Sequence, residues 1–192
     1  CAAKQQSQQH QRSSARTCNS ALGGCSVERT LANGLPVLRF PHLARSERVY
    51  HAILTRRGGV SHSPFDTLNL GASVGDAVSA VEENHRRALG ALGLGVWQFA
   101  SSYLVHGNRV GVVGRSDVGT VRLATDALVT AEPGVPLLLR FADCVPVLFY
   151  EGQRQAVGLA HAGWRGLVAG VLAATVAAMV DQLDCQPEKL WA

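Results

Sequence analysis

Short apolar runs broken by polar or glycine-rich stretches mark most of this chain as strands. Runs at Pro36–Phe40 and Val49–Thr55 come first, followed by a glycine-rich bend at Arg56-Arg-Gly-Gly59. The period then changes. Val78, Val81, Ala88, Leu89 and Leu92 recur on one helical face, with Glu82, Glu83, Arg86 and Arg87 outward. This spacing predicts a helix over Ala77–Leu92, capped by Asp76 and stopped by Gly93. Strands are expected again near Phe99–Val105, Arg109–Val113, Asp126–Thr130, Pro136–Phe141, Val145–Tyr150 and Gln155–His161.

A last helix is predicted over Gly166–Leu183. Leu167, Val168, Val171, Leu172, Val176, Met179 and Val180 form its apolar stripe, and alanines and glycines form its other side. Such a helix is expected to be covered on both sides. Strands outnumber helices and many are joined as hairpins, so the fold class is α+β: a mixed sheet of hairpin-linked strands with packed helices.

Composition narrows the picture. The chain has 192 residues, 47% apolar and 17% charged, enough for one domain with a real core. Residues 1–26 are rich in Gln and Ser, with no acid before Glu28, and are expected to form a disordered leader ahead of a domain over 27–192. The same composition also fits an organellar transit segment, the alternative to a cytoplasmic location. A net charge of +4 with no basic stripe argues against nucleic acid as a partner. The most apolar stretch, Gly166–Val180, falls short of the roughly 20 residues that cross a bilayer, so no membrane partner is expected. Five scattered cysteines (Cys1, Cys18, Cys25, Cys144 and Cys185) do not form a disulfide framework and suit a reducing compartment.

Chemistry concentrates near the centre. If the turn after Tyr150 is centred between Gly152 and Gln153, Cys144 and His161 become direct antiparallel partners, with Cβ atoms about 4.5–5.5 Å apart. The pair suits a covalent nucleophile with its base, a metal site, or a plain buried cysteine beside a core histidine. Asp143 and Arg165 flank it, which favours function. His106, at the expected tip of another hairpin, would make a His–Cys–His zinc site with an open position. The spacing of these three is not a metal motif in itself. Thr55-Arg-Arg-Gly-Gly-Val-Ser61 reads either as an anion cradle or as a tight turn with solvated arginines. Trp164 is expected to anchor the last helix rather than to stack on a ligand ring. The zinc-deaminase pattern, the nucleophile elbow and the P-loop are missing. Seven histidines with no His-x-His pair leave too few imidazoles for a multicopper centre.

A series of motifs then stands in a telling order: Thr55-Arg-Arg-Gly-Gly-Val-Ser61, Pro64-Phe65, Leu68-Asn-Leu-Gly71, Gly75-Asp76, Val105-His-Gly107, Asp126-Ala-Leu-Val-Thr130, Ala142-Asp-Cys144-Val-Pro146 and His161-Ala-Gly-Trp-Arg-Gly166. From about residue 49 onward the chain resembles the YfiH-like family, labelled both multicopper polyphenol oxidase (laccase domain) and purine nucleoside phosphorylase. The resemblance implies a complex α+β topology related to a toxin-type deamidase, and zinc held by His106, Cys144 and His161. The activities it implies are phosphorolysis of adenosine, inosine, guanosine and methylthioadenosine, and deamination of adenosine, with purine nucleoside and phosphate as the partners. On that basis Asp143 is the candidate proton carrier, and Arg56, Arg57 and Arg165 are candidates for binding substrate, with the Gly58 and Gly59 amides assisting on phosphate. Two departures stand out. Leu104 replaces a glutamine usual in the family, and members usually continue for roughly another 50–60 residues, a span of two or three elements. The rival readings are a metal-free Cys–His hydrolase or amidase, a copper-dependent polyphenol oxidase, and an inactive fragment that serves as a binding domain.

Overall fold

The computed structural model describes residues 2–4 and 28–192. In chain order the elements begin with β1 (Ala2–Lys4), β2 (Glu28–Ala32), β3 (Leu35–Arg39), α1 (Pro41–Ala44), β4 (Tyr50–Leu54) and α2 (Val78–Ala91). The middle of the chain supplies β5 (Ala100–Ser102), β6 (Val110–Val112), β7 (Val121–Arg122), β8 (Ala127–Thr130) and β9 (Leu137–Leu138). The last elements are β10 (Val145–Glu151), β11 (Ala156–Ala162), α3 (Trp164–Val168), α4 (Val171–Leu183) and β12 (Leu190–Trp191). Two compact units result. One holds residues 46–51 and 97–192 together with β1, and the other holds residues 28–45 and 52–96. The class is α+β, as the pattern predicts. Of the leader expected over residues 1–26, residues 2–4 form β1 and the rest lies outside the described residues.

In the first unit a five-stranded sheet runs in the order β12-β10-β11-β8-β6. Its pairs are antiparallel except β6 with β8. All seven residues of β11 are buried, as expected for a central strand covered on both faces. On α4, Val171, Thr175 and Met179 recur every fourth residue and are buried, and Val171 and Met179 join a core with Ala127, Val129, Phe149, Ala156 and Ala160. In the same unit β9 pairs antiparallel with β1 and parallel with β5, and β5 pairs parallel with β7.

Several expectations are corrected. The single last helix is broken by Gly170, which takes φ +82° and separates α3 from α4. Its apolar stripe is not uniformly buried either, since Val168 is 83% exposed and the alanine face at Ala173 and Ala177 is open to solvent. The strands on either side of His106 do not form a hairpin. β5 and β6 pair with different partners in different sheets, so the segment between them is a crossing loop. His51, outside the candidate site, lies fully buried in β4.

In the second unit β3 pairs antiparallel with β2 and β4. β2 lies outside the predicted strands. Asn33 and Gly34 close its hairpin with φ of +45° and +86°, the two-residue turn that suits the twist of paired strands. α2 buries Val81, Ala88 and Leu89, while Val78 stays exposed. Leu94 N–H closes on the Leu89 carbonyl at 2.9 Å around Gly93 at φ +67°, so the glycine stop is as expected. Asp76 does not cap the helix, which begins at Ala77 without a side-chain cap. Its carboxylate instead accepts from Ser61 Oγ at 2.6 Å, Asn69 Nδ2 at 2.9 Å and Ala77 N at 2.8 Å. Beside it, the buried Asn84 amide accepts from Val60 N and donates to Ser61 Oγ and to the Thr67 and Asn69 carbonyls. Two polar side chains thus replace regular backbone pairing across the loop from residue 55 to 77.

The bonds from Ser61 and then Asn69 hold the Asp76 carboxyl below the usual aspartate range. A lowered folded-state value adds stability that is complete above the ordinary range and is lost as pH falls through the lowered value. Urea midpoints across acid pH should therefore fall steeply in the native protein and less steeply in Asp76→Asn. Some slope should remain, because Arg86 and Arg87 pull Glu83 down to about 2. An unchanged slope in the variant would show that Asp76 is not a source of the acid sensitivity.

Candidate metal centre

His161 comes from β11, Cys144 from the residue before β10, and His106 from the loop between β5 and β6. The β10–β11 turn is centred one residue later than expected, since Glu151 pairs with Ala156 and Pro146 with His161. Direct pairing of Cys144 with His161 is therefore corrected. Continued by one pair, the register sets Gly163 opposite Cys144 and leaves His161 as its diagonal neighbour on the same face. A shift of two residues preserves the face, which is why the two side chains still meet.

One donor atom each from His106, Cys144 and His161 lies within 4.8 Å of the other two. Among the described residues this is the only group of three or more His, Cys, Asp or Glu side chains placed to share an ion. The two imidazoles meet edge to face with centroids 4.8 Å apart, and Phe141 sits 5.6 Å from the His161 ring. Burial is graded: His161 is 3% exposed, Cys144 is half-buried and His106 is exposed. The group is thus closed behind and open in front.

Gly163 shows what the triangle leaves room for. A Cβ built there would lie 2.9 Å from His106 Cδ2, 3.0 Å from Cys144 Sγ and 3.4 Å from His161 Cε1. Its φ of −75° and ψ of 158° are open to any residue, so the glycine serves space rather than backbone freedom. Two nitrogens and one sulfur around a space kept clear of a methyl group fit a single zinc ion, whose bonds to such donors are about 2.0–2.3 Å. The same donors also suit copper.

Asp126, quoted in the sequence motifs without a role, lies directly behind the histidines. It is fully buried, and its Oδ1 stands 3.0 Å from His161 Nδ1. The carboxylate also accepts from the backbone N–H groups of Val105 at 3.2 Å, His106 at 2.8 Å and Gly107 at 2.8 Å. The β8–β11 register, continued by one pair, puts Asp126 directly across from His161, and His161 N donates to the Asp126 carbonyl at 2.8 Å. That neighbourhood spans 35 residues of sequence without a connecting turn, so no hairpin argument reaches it.

The other predicted residues are scattered. Asp143 is exposed beside Cys144. Arg165 is exposed at the start of α3, with its guanidinium 5.2 Å from the Trp164 ring centre. Trp164 is 70% exposed and so does not anchor the helix, which corrects that expectation. Arg56 and Arg57 belong to the second unit, where Arg56 Nε donates to the Asp66 carbonyl at 2.7 Å. Of the two readings of the Thr55–Ser61 stretch, the tight turn describes it, since the Gly58 and Gly59 amides both donate to Thr67 Oγ1, at 3.0 and 3.1 Å.

Residues 50–192 match the family described as multi-copper polyphenol oxidoreductase laccase. A purine nucleoside phosphorylase of Pseudomonas aeruginosa is 48% identical over 129 residues, which cover 67% of this chain and 50% of that protein. One of Deinococcus radiodurans is 44% identical over 161 residues, covering 84% and 60%. Among solved structures, YlmD from Geobacillus stearothermophilus superposes with a TM-score of 0.71 at 31% identity, over 91% of this chain and 62% of that one. The Bacillus licheniformis hypothetical protein YfiH gives 0.70 at 29%, over 88% and 61%. The chain therefore spans about half to three fifths of the length of these two phosphorylases.

Gly163→Ala should leave the melting temperature nearly unchanged and weaken zinc binding by at least about tenfold, because the new methyl group enters the triangle and not the core. Isothermal titration with zinc alongside a thermal melt separates the two effects. Full affinity in the variant would mean that the clear space at Gly163 is not where an ion sits.

Proposed function

The chain belongs to the multi-copper polyphenol oxidoreductase laccase family, and from that membership we propose that it is a zinc-dependent enzyme of purine nucleosides. Its main reaction is phosphorolysis. The bond between C1′ and the purine nitrogen breaks, a phosphate oxygen bonds to C1′, and the base leaves with a proton. Adenosine, inosine, guanosine and methylthioadenosine are the proposed substrates, with hydrolytic deamination of adenosine as a second activity. The carrying observation is the His106–Cys144–His161 triangle, open on one side, in a chain whose relatives bear the name purine nucleoside phosphorylase.

His106, Cys144 and His161 would hold the zinc. When bound, zinc supplies a Lewis acid with an open coordination position. The chain's own residues do the rest. The Gly163 backbone leaves the space between the donors clear, and buried His161, with half-buried Phe141 beside its ring, closes the rear of the site. Arg165, exposed at the start of α3 in the same unit, is proposed to attract phosphate. Arg56 and Arg57 remain proposals for the same task. Asp143, exposed beside Cys144, is proposed to carry the proton in deamination.

One observation favours a second reading. Cys144, His161 and Asp126 form the order of nucleophile, base and orienting carboxylate, which a metal-free hydrolase or amidase would use. His106 has no task in that scheme, yet it is brought as close as the other two, so the metal reading is preferred. The polyphenol oxidase reading needs more imidazoles than the single three-residue group supplies among the described residues.

Purified protein should carry about one zinc per chain, lose it in His161→Ala, and convert adenosine with phosphate to adenine. Absence of both zinc and product would overturn the proposal. Iodoacetamide near neutral pH should modify Cys144 only after chelation. Cys185 should stay unmodified, because burial pushes its thiol up to about 11. Inactivation through Cys144 with zinc still bound would favour the nucleophile reading.

A further inference from the structure

We propose that Asp126 is the positioning residue of the metal centre and acts on both histidines at once. It selects Nε2 of His161 as the metal donor, and it holds the loop that presents His106 to the same ion. The inference rests on reading His106, Cys144 and His161 as a metal site.

The first half follows from proton bookkeeping. His161 Nδ1 lies 3.0 Å from Asp126 Oδ1, and a carboxylate accepts but does not donate. The proton on His161 is therefore at Nδ1, and the lone pair at Nε2 is left for an ion. His161 is buried and also bonded through its backbone N–H to the Asp126 carbonyl, so the ring has little freedom to turn over.

The second half lies in the loop. Three consecutive N–H groups, those of Val105, His106 and Gly107, converge on the same carboxylate. His106 sits at φ +62°, a conformation that a residue with a side chain seldom takes unless its surroundings impose it. The backbone of Asp126 is fixed in turn, since its N–H donates to the Arg109 carbonyl at 2.9 Å. One buried carboxylate thus fixes the donor atom of one ligand and the backbone of another. An asparagine would offer one oxygen to four donors and turn an N–H₂ toward some of them, so Asp126→Asn disturbs both histidines while nearly preserving volume.

The test titrates cobalt(II) into the metal-free full chain and reads the thiolate–cobalt absorption. Asp126→Asn is expected to bind cobalt about 10–100-fold more weakly than the native chain. At saturation it should still show the thiolate–cobalt band and a cooperative circular dichroism melt, since Cys144 and the core are untouched. Equal affinity in a folded variant overturns the proposal. A native chain that takes up no cobalt overturns the metal reading, and this inference with it. If the variant does not fold, the native protein decides. Long-range 1H–15N spectra of the metal-free chain should show His161 protonated at Nδ1. A proton at Nε2 overturns the assignment.

Discussion

A carboxylate buried away from water must find donors for its oxygens, and this requirement at Asp126 organises the centre of the first unit. The cost of removing such a group from water is several kcal/mol. Each hydrogen bond to a charged group returns about 1.5–3 kcal/mol, so nearly all of its acceptor capacity has to be filled. Four donors fill it: three loop N–H groups and the His161 ring. The loop could not relax into a wider turn without leaving Asp126 short of partners. The geometry of the site is thus built around one buried carboxylate. Cys144 and His106 are gathered around the histidine that this charge holds.

The second unit solves a similar problem with the Asp76 carboxylate and a neutral amide. Its long loop between β4 and α2 has little regular pairing, and the Asn84 amide supplies the missing partners from inside the helix. A Cβ at Gly59 would run into the Thr67 carbonyl and the Asn84 side chain, so this glycine is dictated by close approach. The arrangement explains why the Thr55–Ser61 stretch, readable in sequence as an anion cradle or as a tight turn, folds as the tight turn. Its glycine amides are spent on Thr67 Oγ1, inside the loop itself.

The misplaced expectations share one physical origin. Patterns along the chain report local period and turn chemistry, and they located β3, β4, β8, β10, β11 and α2 to within about a residue or two. They cannot report which strand lies beside which when no turn joins the pair. His106 was therefore set on a hairpin that does not exist, and Asp126 received no role although it stands directly across from His161. Trp164 and Val168 show the other limit. Large apolar residues at helical spacing suggest burial, but Gly170 turns the helix axis between them and α4, and both remain in solvent.

By itself, the sequence determined the α+β class, the YfiH-like family and the grouping of His106, Cys144 and His161, because these rest on residue identity, alternation and a motif order that survives small errors in register. Cys144 and His161 still meet for that reason, although they are not direct partners. The turn between them was misplaced by one residue, which shifts the partner by two and keeps the face. The tertiary structure alone decided the rest: that Gly163 lies between the donors, that the Gly58 and Gly59 amides are engaged, and that Asp126 holds both histidines. Each of these is a contact between segments distant in sequence, set by which buried polar group must be satisfied, and no local pattern carries that information.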